Sequence, residues 1–102
     1  MFLAMNRFKV VKGREEEFED IWRNRERRLG DMPGFVSFHL LRGATEDDHT
    51  LYASHSIWEN RDAFEEWRRS QQYRDTHRQA GKTSGLYLGQ PQPELFTAVE
   101  GA

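Results

Sequence analysis

Residues 34–58 read GFVSFHLLRGATEDDHTLYASHSIW, and the way this stretch folds decides the architecture. Its first part, GFVSFHLLRG, carries apolar side chains at both parities: Phe35 and Leu41 on one face, Val36, Phe38 and Leu40 on the other. That is the pattern of a strand that needs cover on both sides. GATEDDH is polar and turn-forming, and TLYASHSIW returns to β-branched and aromatic residues. Two such runs joined by a short polar turn make an antiparallel hairpin.

Upstream, residues 2–11 alternate as a strand, with Phe2, Ala4, Asn6, Phe8 and Val10 on one face and Leu3, Met5, Arg7, Lys9 and Val11 on the other. After Lys12 and Gly13 the spacing becomes helical: Phe18, Ile21, Trp22, Arg25 and Leu29 share one stripe from Arg14 onward. Glu15, Glu16 and Glu17 crowd the first turn, and Arg23, Arg25, Arg27 and Arg28 crowd the end, which complements the helix dipole. Gly30, Asp31 and Pro33 stop this helix. Downstream of the hairpin, Asn60 is placed to cap a second helix that starts at Arg61, with Ala63, Phe64 and Trp67 on its inner face. Helical composition runs on through Tyr73 and His77 to Ala80, and Gly81 closes it. GKTSGLYLGQPQP then leads into ELFTAVE as the last strand.

The order β-α-β-β-α-β predicts a single ferredoxin-like α+β domain over residues 1–102, with both helices on one face of an antiparallel sheet. The first two strands are apolar on their other face too, so the helix-free side also needs cover. A second copy supplies that cover without new sequence, and a homodimer of the dimeric α+β barrel type is expected.

Composition bounds the chemistry. With 15 basic and 17 acidic residues the net charge is −2, which argues for neither nucleic acid nor an anionic membrane as partner. No cysteine is present, so disulfides, thiolate catalysis and Cys-based metal sites are excluded. No apolar run is long enough to cross a bilayer and no signal-peptide pattern opens the chain, so a soluble, cytoplasmic protein is expected. Neither G-x-G-x-x-G nor a Walker pattern occurs, and no helix face pairs His with His or Glu at metal-binding spacing. Aromatic residues make up 13%, three of them Trp, in an otherwise polar chain. Those rings fill a core, line a pocket, or do both.

Three residues then stand out. Asn6 puts a carboxamide in the middle of an apolar strand face. Buried without partners it would cost roughly 1–3 kcal/mol, so it bonds backbone or water, or faces a cavity. Trp67 suits either core packing or a pocket wall. His77 suits either a cation at a helix C-terminus or a ligand. Of the other histidines, His49 falls in the charged turn and reads as solvated, while His39 and His55 read as polar positions tolerated on a half-buried sheet.

AMNRFKVVKG, MPGFVSFHLLRG and SIWENRDAFEEWRRSQQYRDTHRQAG together resemble the IsdG-type haem-degrading monooxygenases, within the antibiotic-biosynthesis-monooxygenase-like dimeric α+β barrels. The resemblance spans about residues 3 to 81. Trp58, Asn60, Ala63, Phe64 and Trp67 fit the motif shared across the superfamily. Sharper is the trio of Asn on the first strand, Trp on the second helix and His ten residues later, met by Asn6, Trp67 and His77. Quinol-oxidising relatives generally lack that His.

The resemblance implies that His77 ligates haem iron, that Trp67 presses the porphyrin out of planarity, and that Asn6 approaches the distal side of the iron. Haem would serve as substrate and cofactor, its ring opened with O2 and electrons from a reductase or a small-molecule reductant, and its iron released. Arg25, on the inner stripe of the first helix, is the candidate contact for a haem propionate, with a plain surface cation as the other reading. Phe8, Phe38 and Phe64 are core or pocket aromatics. On one straight helix Trp67 and His77 would lie about 15 Å apart and roughly 280° around the axis, so a bend or break is expected near residues 69–72. The alternatives are a cofactor-free quinol monooxygenase of the same superfamily, and a haem-binding protein without turnover.

Overall fold

The computed structural model describes residues 1–24, 29–70 and 85–102. The chain forms β1 (Phe2–Val11), α1 (Glu15–Asn24), a 3-10 turn (Leu29–Asp31), β2 (Phe35–Thr45), β3 (His49–Trp58), α2 (Arg61–Arg68) and β4 (Tyr87–Thr97). The strands make one antiparallel sheet in the order β2-β3-β1-β4. This is the ferredoxin-like α+β arrangement read from the sequence.

The parity of β1 fixes its faces as expected. Phe2, Phe8 and Val10 are buried beneath the helices, along with Tyr52 and Trp58 from the same face of β3. Two aromatic clusters result. Below α1, Phe18 and Trp22 pack on Phe8, Val10 and Tyr52. Below α2, Phe64 packs on Phe2 and Trp58. Phe38 touches both clusters. Full burial of side chains this size stabilises the fold by about 1.5–3 kcal/mol each, and tilted or edge-on ring pairs such as Phe18–Tyr52 at 5.1 Å add to it.

Both helices are fixed at their ends. Glu15 accepts from the Gly13 backbone N–H at 2.6 Å and from the Thr50 hydroxyl at 3.1 Å, tying the start of α1 to β3. Asn60 caps α2 as expected, its Oδ1 accepting from the Ala63 N–H at 2.9 Å. Gly34 seats that cap: its φ is 81°, a Cβ there would meet the Ala63 Cβ at 2.5 Å, and its carbonyl accepts from the Glu59 N–H at 2.8 Å.

Three expectations need correction. α1 was expected to carry Leu29 on its stripe, whereas Leu29 opens the 3-10 turn, which Gly30 and Asp31 complete. In β2 the register shifts between Phe35 and Ser37, so Phe35 sits opposite Trp58 on the helix side, while Val36 is 51% exposed. Phe35 therefore shares a face with Phe38 and Leu40, because a bulge inverts the parity of everything before it. β4 begins at Tyr87 rather than Glu94 and ends at Thr97. Pro91 and Pro93 are tolerated because β4 is an edge strand, and Gly89, at φ 67°, sits where the register with β1 shifts. α2 spans Arg61–Arg68, and the helical continuation expected through Tyr73 and His77 to Ala80 lies outside the described residues.

Candidate functional site

Asn6 lies on the helix side of β1, half-buried, with Ser54 of β3 as its cross-strand partner on one side and Pro93 of β4 on the other. Leu40 of β2 continues the row beyond Ser54. This row falls between the two aromatic clusters and belongs to neither, save for Leu40 at its end. The sheet thus has a narrow polar floor flanked by rings. No hydrogen bond joins the Asn6 carboxamide or the Ser54 hydroxyl to another described residue, although Ser54 is only 7% exposed. A hydroxyl or amide left so costs on the order of 1–3 kcal/mol, which an ordered water or a ligand would relieve.

Trp67 stands at one margin of this floor. It is half-buried and packs with the α2 cluster, stacked on Trp58 with centroids 5.6 Å apart and planes 30° apart. Ala4, two residues before Asn6 on the same face, packs on that cluster as well. The end of α2 comes immediately afterwards. The Trp67 carbonyl accepts from both the Ser70 N–H at 2.9 Å and the Ser70 hydroxyl at 2.5 Å, which closes the turn. The interruption expected over residues 69–72 is met at its start, since the helix stops at Arg68.

The remaining two site residues, His77 and Arg25, lie outside the described residues. His39 and His55 face each other across β2 and β3, on the sheet face opposite the helices. His49 is not simply solvated: its Nδ1 lies 2.6 Å from Asp48, whose carboxyl it holds below the usual range. Phe8 and Phe64 are core, each under 10% exposed. Among the described residues, no group of three His, Asp or Glu side chains could hold a metal ion, and no helix is long and apolar enough to cross a membrane.

A second polar cluster went unforeseen in the sequence. Under α1, Glu19 accepts from the buried Tyr52 hydroxyl, from Arg23 at 2.8 Å and from Arg42 at 3.2 Å. Burial and this carboxylate push the Tyr52 phenol well above its ordinary range, while the Tyr52 hydroxyl holds Glu19 below its own. The i, i+4 spacing of Glu19 and Arg23 was the available signal; the Tyr52 and Arg42 contacts depend on the fold. An open hollow of about 430 Å³ lies here, lined in part by Trp22, Phe38 and Arg42. Its charged groups satisfy one another, so it has the character of a structural brace.

The sequence model of the antibiotic biosynthesis monooxygenase family matches residues 1–79, and the chain belongs to that family. Among solved structures, it is 28% identical to a variant of SnoaB, a cofactor-independent oxygenase from Streptomyces nogalater, over 95% of this chain and 91% of that one, with TM-score 0.69. An antibiotic biosynthesis monooxygenase from Bacillus cereus shares the fold at 15% identity and TM-score 0.74, over 99% of this chain and 95% of the other. So does a variant of MhuD described with two manganese protoporphyrin IX bound per active site, at 20% identity and TM-score 0.69, over 100% and 98% of the two chains. Family membership supports an oxygenase.

Proposed function

We propose that this chain is a haem-degrading monooxygenase. The observation that carries the reading is the seat of Asn6: a half-buried carboxamide without a described partner, on a polar floor walled by aromatic clusters, with Trp67 at its margin. A flat aromatic macrocycle with hydrogen-bonding needs at its centre suits such walls and such a floor. His77, ten residues past Trp67, singles out haem from other flat ligands.

In this reading His77 ligates the haem iron as a neutral imidazole. Trp67, braced by Trp58, would offer its indole as a wall against the macrocycle. The Asn6 carboxamide would offer an N–H donor to the bound complex, and the aromatic clusters would exclude bulk water. Arg25 pairs with a propionate. Bound haem supplies the iron at which O2 is activated, electrons come from a reductase or a small-molecule reductant, and iron leaves once the ring opens. The protein works as a homodimer in the cytoplasm, its helix-free sheet faces packed together. Leu41, Leu88 and Phe96, exposed at 41%, 41% and 45%, are the apolar surface this would cover.

A second reading is favoured by one observation: the greater identity is to the cofactor-independent SnoaB rather than to the MhuD variant. Under it, Asn6 and Trp67 position an aromatic quinol and His77 is incidental. Titration with haemin decides. The haem reading expects a saturable Soret band at one haemin per chain, then bleaching with reductant in air to an open tetrapyrrole identified by mass. No specific Soret band sinks it in favour of the quinol enzyme; a stable band without bleaching leaves a haem-binding protein without turnover.

A further inference from the structure

The face of β3 beneath the helices carries two serines, and they differ. Ser56 is spoken for: it accepts from the Trp58 indole N–H at 3.1 Å and donates toward the Ala4 carbonyl at 3.4 Å, and so fixes the ring on which Trp67 stacks. Ser54, equally buried at 7%, bonds no described residue. Its register partner is Asn6. Side chains directly opposite on an antiparallel pair have Cβ atoms about 4.5–5.5 Å apart. That spacing lets a hydroxyl and a carboxamide, neither bonded to the other, both reach one atom set between them.

We propose that Ser54 is a binding residue of a cleft over the polar floor, where with Asn6 it holds one small hydrogen-bonding species: a water in the resting protein, displaced by an oxygen-bearing ligand when the cleft is filled. The carboxamide offers two N–H donors and an acceptor, and the hydroxyl one donor and two lone pairs, so the pair can serve water, dioxygen or a ligand oxygen in turn. A hydroxyl kept only for packing would gain from replacement by an isosteric methyl, since an unpartnered buried polar group destabilises the fold it sits in. A buried, unpartnered serine between two aromatic clusters points to a ligand. The proposal rests on the cleft being the binding site but not on the ligand being haem.

Ser54→Val and Ser54→Thr, made in the full chain, test it. In the ligand-free protein, the side-chain amide resonances of Asn6 are expected to move in Ser54→Val, as the shared water loses a partner, and to stay near wild type in Ser54→Thr. The melting temperature of Ser54→Val is expected to equal or exceed that of its isostere Ser54→Thr. With haemin as probe, Ser54→Val should bind roughly tenfold more weakly, the worth of one good hydrogen bond at about 1.4 kcal/mol per decade, and Ser54→Thr should recover most of it. Unmoved Asn6 resonances in a folded Ser54→Val, or a melting temperature several degrees below that of Ser54→Thr, overturn the proposal by making Ser54 idle or merely structural. If wild type takes up no haemin, the haem reading fails on its own, and the ligand-free amide and melting data still decide the role of Ser54.

Discussion

Trp67 stacks on Trp58 at 5.6 Å, and Trp58 is in turn locked by the Ser56 hydroxyl, so the Trp67 indole rests on a ring with no solvent exposure. In the haem reading Trp67 presses on the macrocycle, and a side chain so used needs such backing. The two rings should therefore separate stability from activity. Trp58→Ala is expected to cost about 3–5 kcal/mol and, at about 4–8 °C per kcal/mol for a domain this size, to leave the protein unfolded or close to it. Trp67→Ala, at a half-buried position, should remain folded by circular dichroism and yet slow ring opening of bound haem.

The cap of α2 gives a second, cleaner stability test. Asn60→Ala removes the acceptor for the Ala63 N–H and is expected to cost about 1 kcal/mol. Gly34→Ala should cost more, because it combines a left-handed φ of 81° with a 2.5 Å clash against Ala63. Chemical denaturation of the two variants checks the order. An equal or reversed ranking would mean that α2 can shift to relieve the contact.

The pH dependence of folding should run through Glu19. Its carboxyl is held below the ordinary value of 4.5, first by the Tyr52 hydroxyl and further by Arg23 and Arg42. A carboxyl with a lowered folded pKa contributes stability above its unfolded value, and that contribution is lost as pH falls through the folded pKa. Glu19→Gln is therefore expected to lower the neutral-pH stability by about 1 kcal/mol, given its partial exposure, and the gap from wild type should close below pH 4.5. Melting curves at stepped pH measure this. A gap that persists unchanged into strong acid would contradict the ionic origin.

How much of this was written in the sequence depends on which interactions are local. β1 could be bounded to the residue because the alternation lies within it and the Lys12-Gly13 break follows it directly. The Asn60 cap was legible for the same reason, since donor and acceptor are three residues apart. The register shifts of the sheet were not. Val36 turns outward only because Phe35 meets Trp58, a contact between residues 23 positions apart. Pro91 and Pro93 argue against a strand until the sheet order leaves β4 with an open edge. In the site, Asn6 was visible as a polar residue on an apolar face. Ser54 was not, because serine on a strand is unremarkable until its burial and its pairing with Asn6 are known.

The helix-free face gives a prediction about assembly. Its rows run Ser37-Ile57-Leu3-Phe96 and Leu41-Ala53-Arg7-Gln92, with the Arg7–Glu94 pair at 2.5 Å bridging toward the β4 edge. A charge set among the apolar members should be intolerable in a buried interface and harmless on a free monomer. Phe96→Glu and Leu41→Glu are expected to shift sedimentation from twice the chain mass to the chain mass with secondary structure retained. Wild type that sediments as a monomer at micromolar concentration would remove the homodimer.

The last prediction concerns the residues that divide the two oxygenase readings. His77→Ala is expected to abolish the axial ligation signature of the haemin complex while the protein keeps its fold, because an imidazole supplies the iron ligand in this reading. Arg25→Ala should weaken haemin binding several-fold, as loss of one propionate contact would, without altering the coordination spectrum. Asn6→Ala should bind haemin with its Soret band retained but open the ring slowly, since in the haem reading its carboxamide serves ring opening and not iron ligation. A quinol oxygenase would show a different pattern: His77→Ala silent toward an aromatic quinol, and Asn6→Ala and Trp67→Ala both impaired. The response of His77 alone therefore separates the chemistries, because Asn6 and Trp67 are used by both.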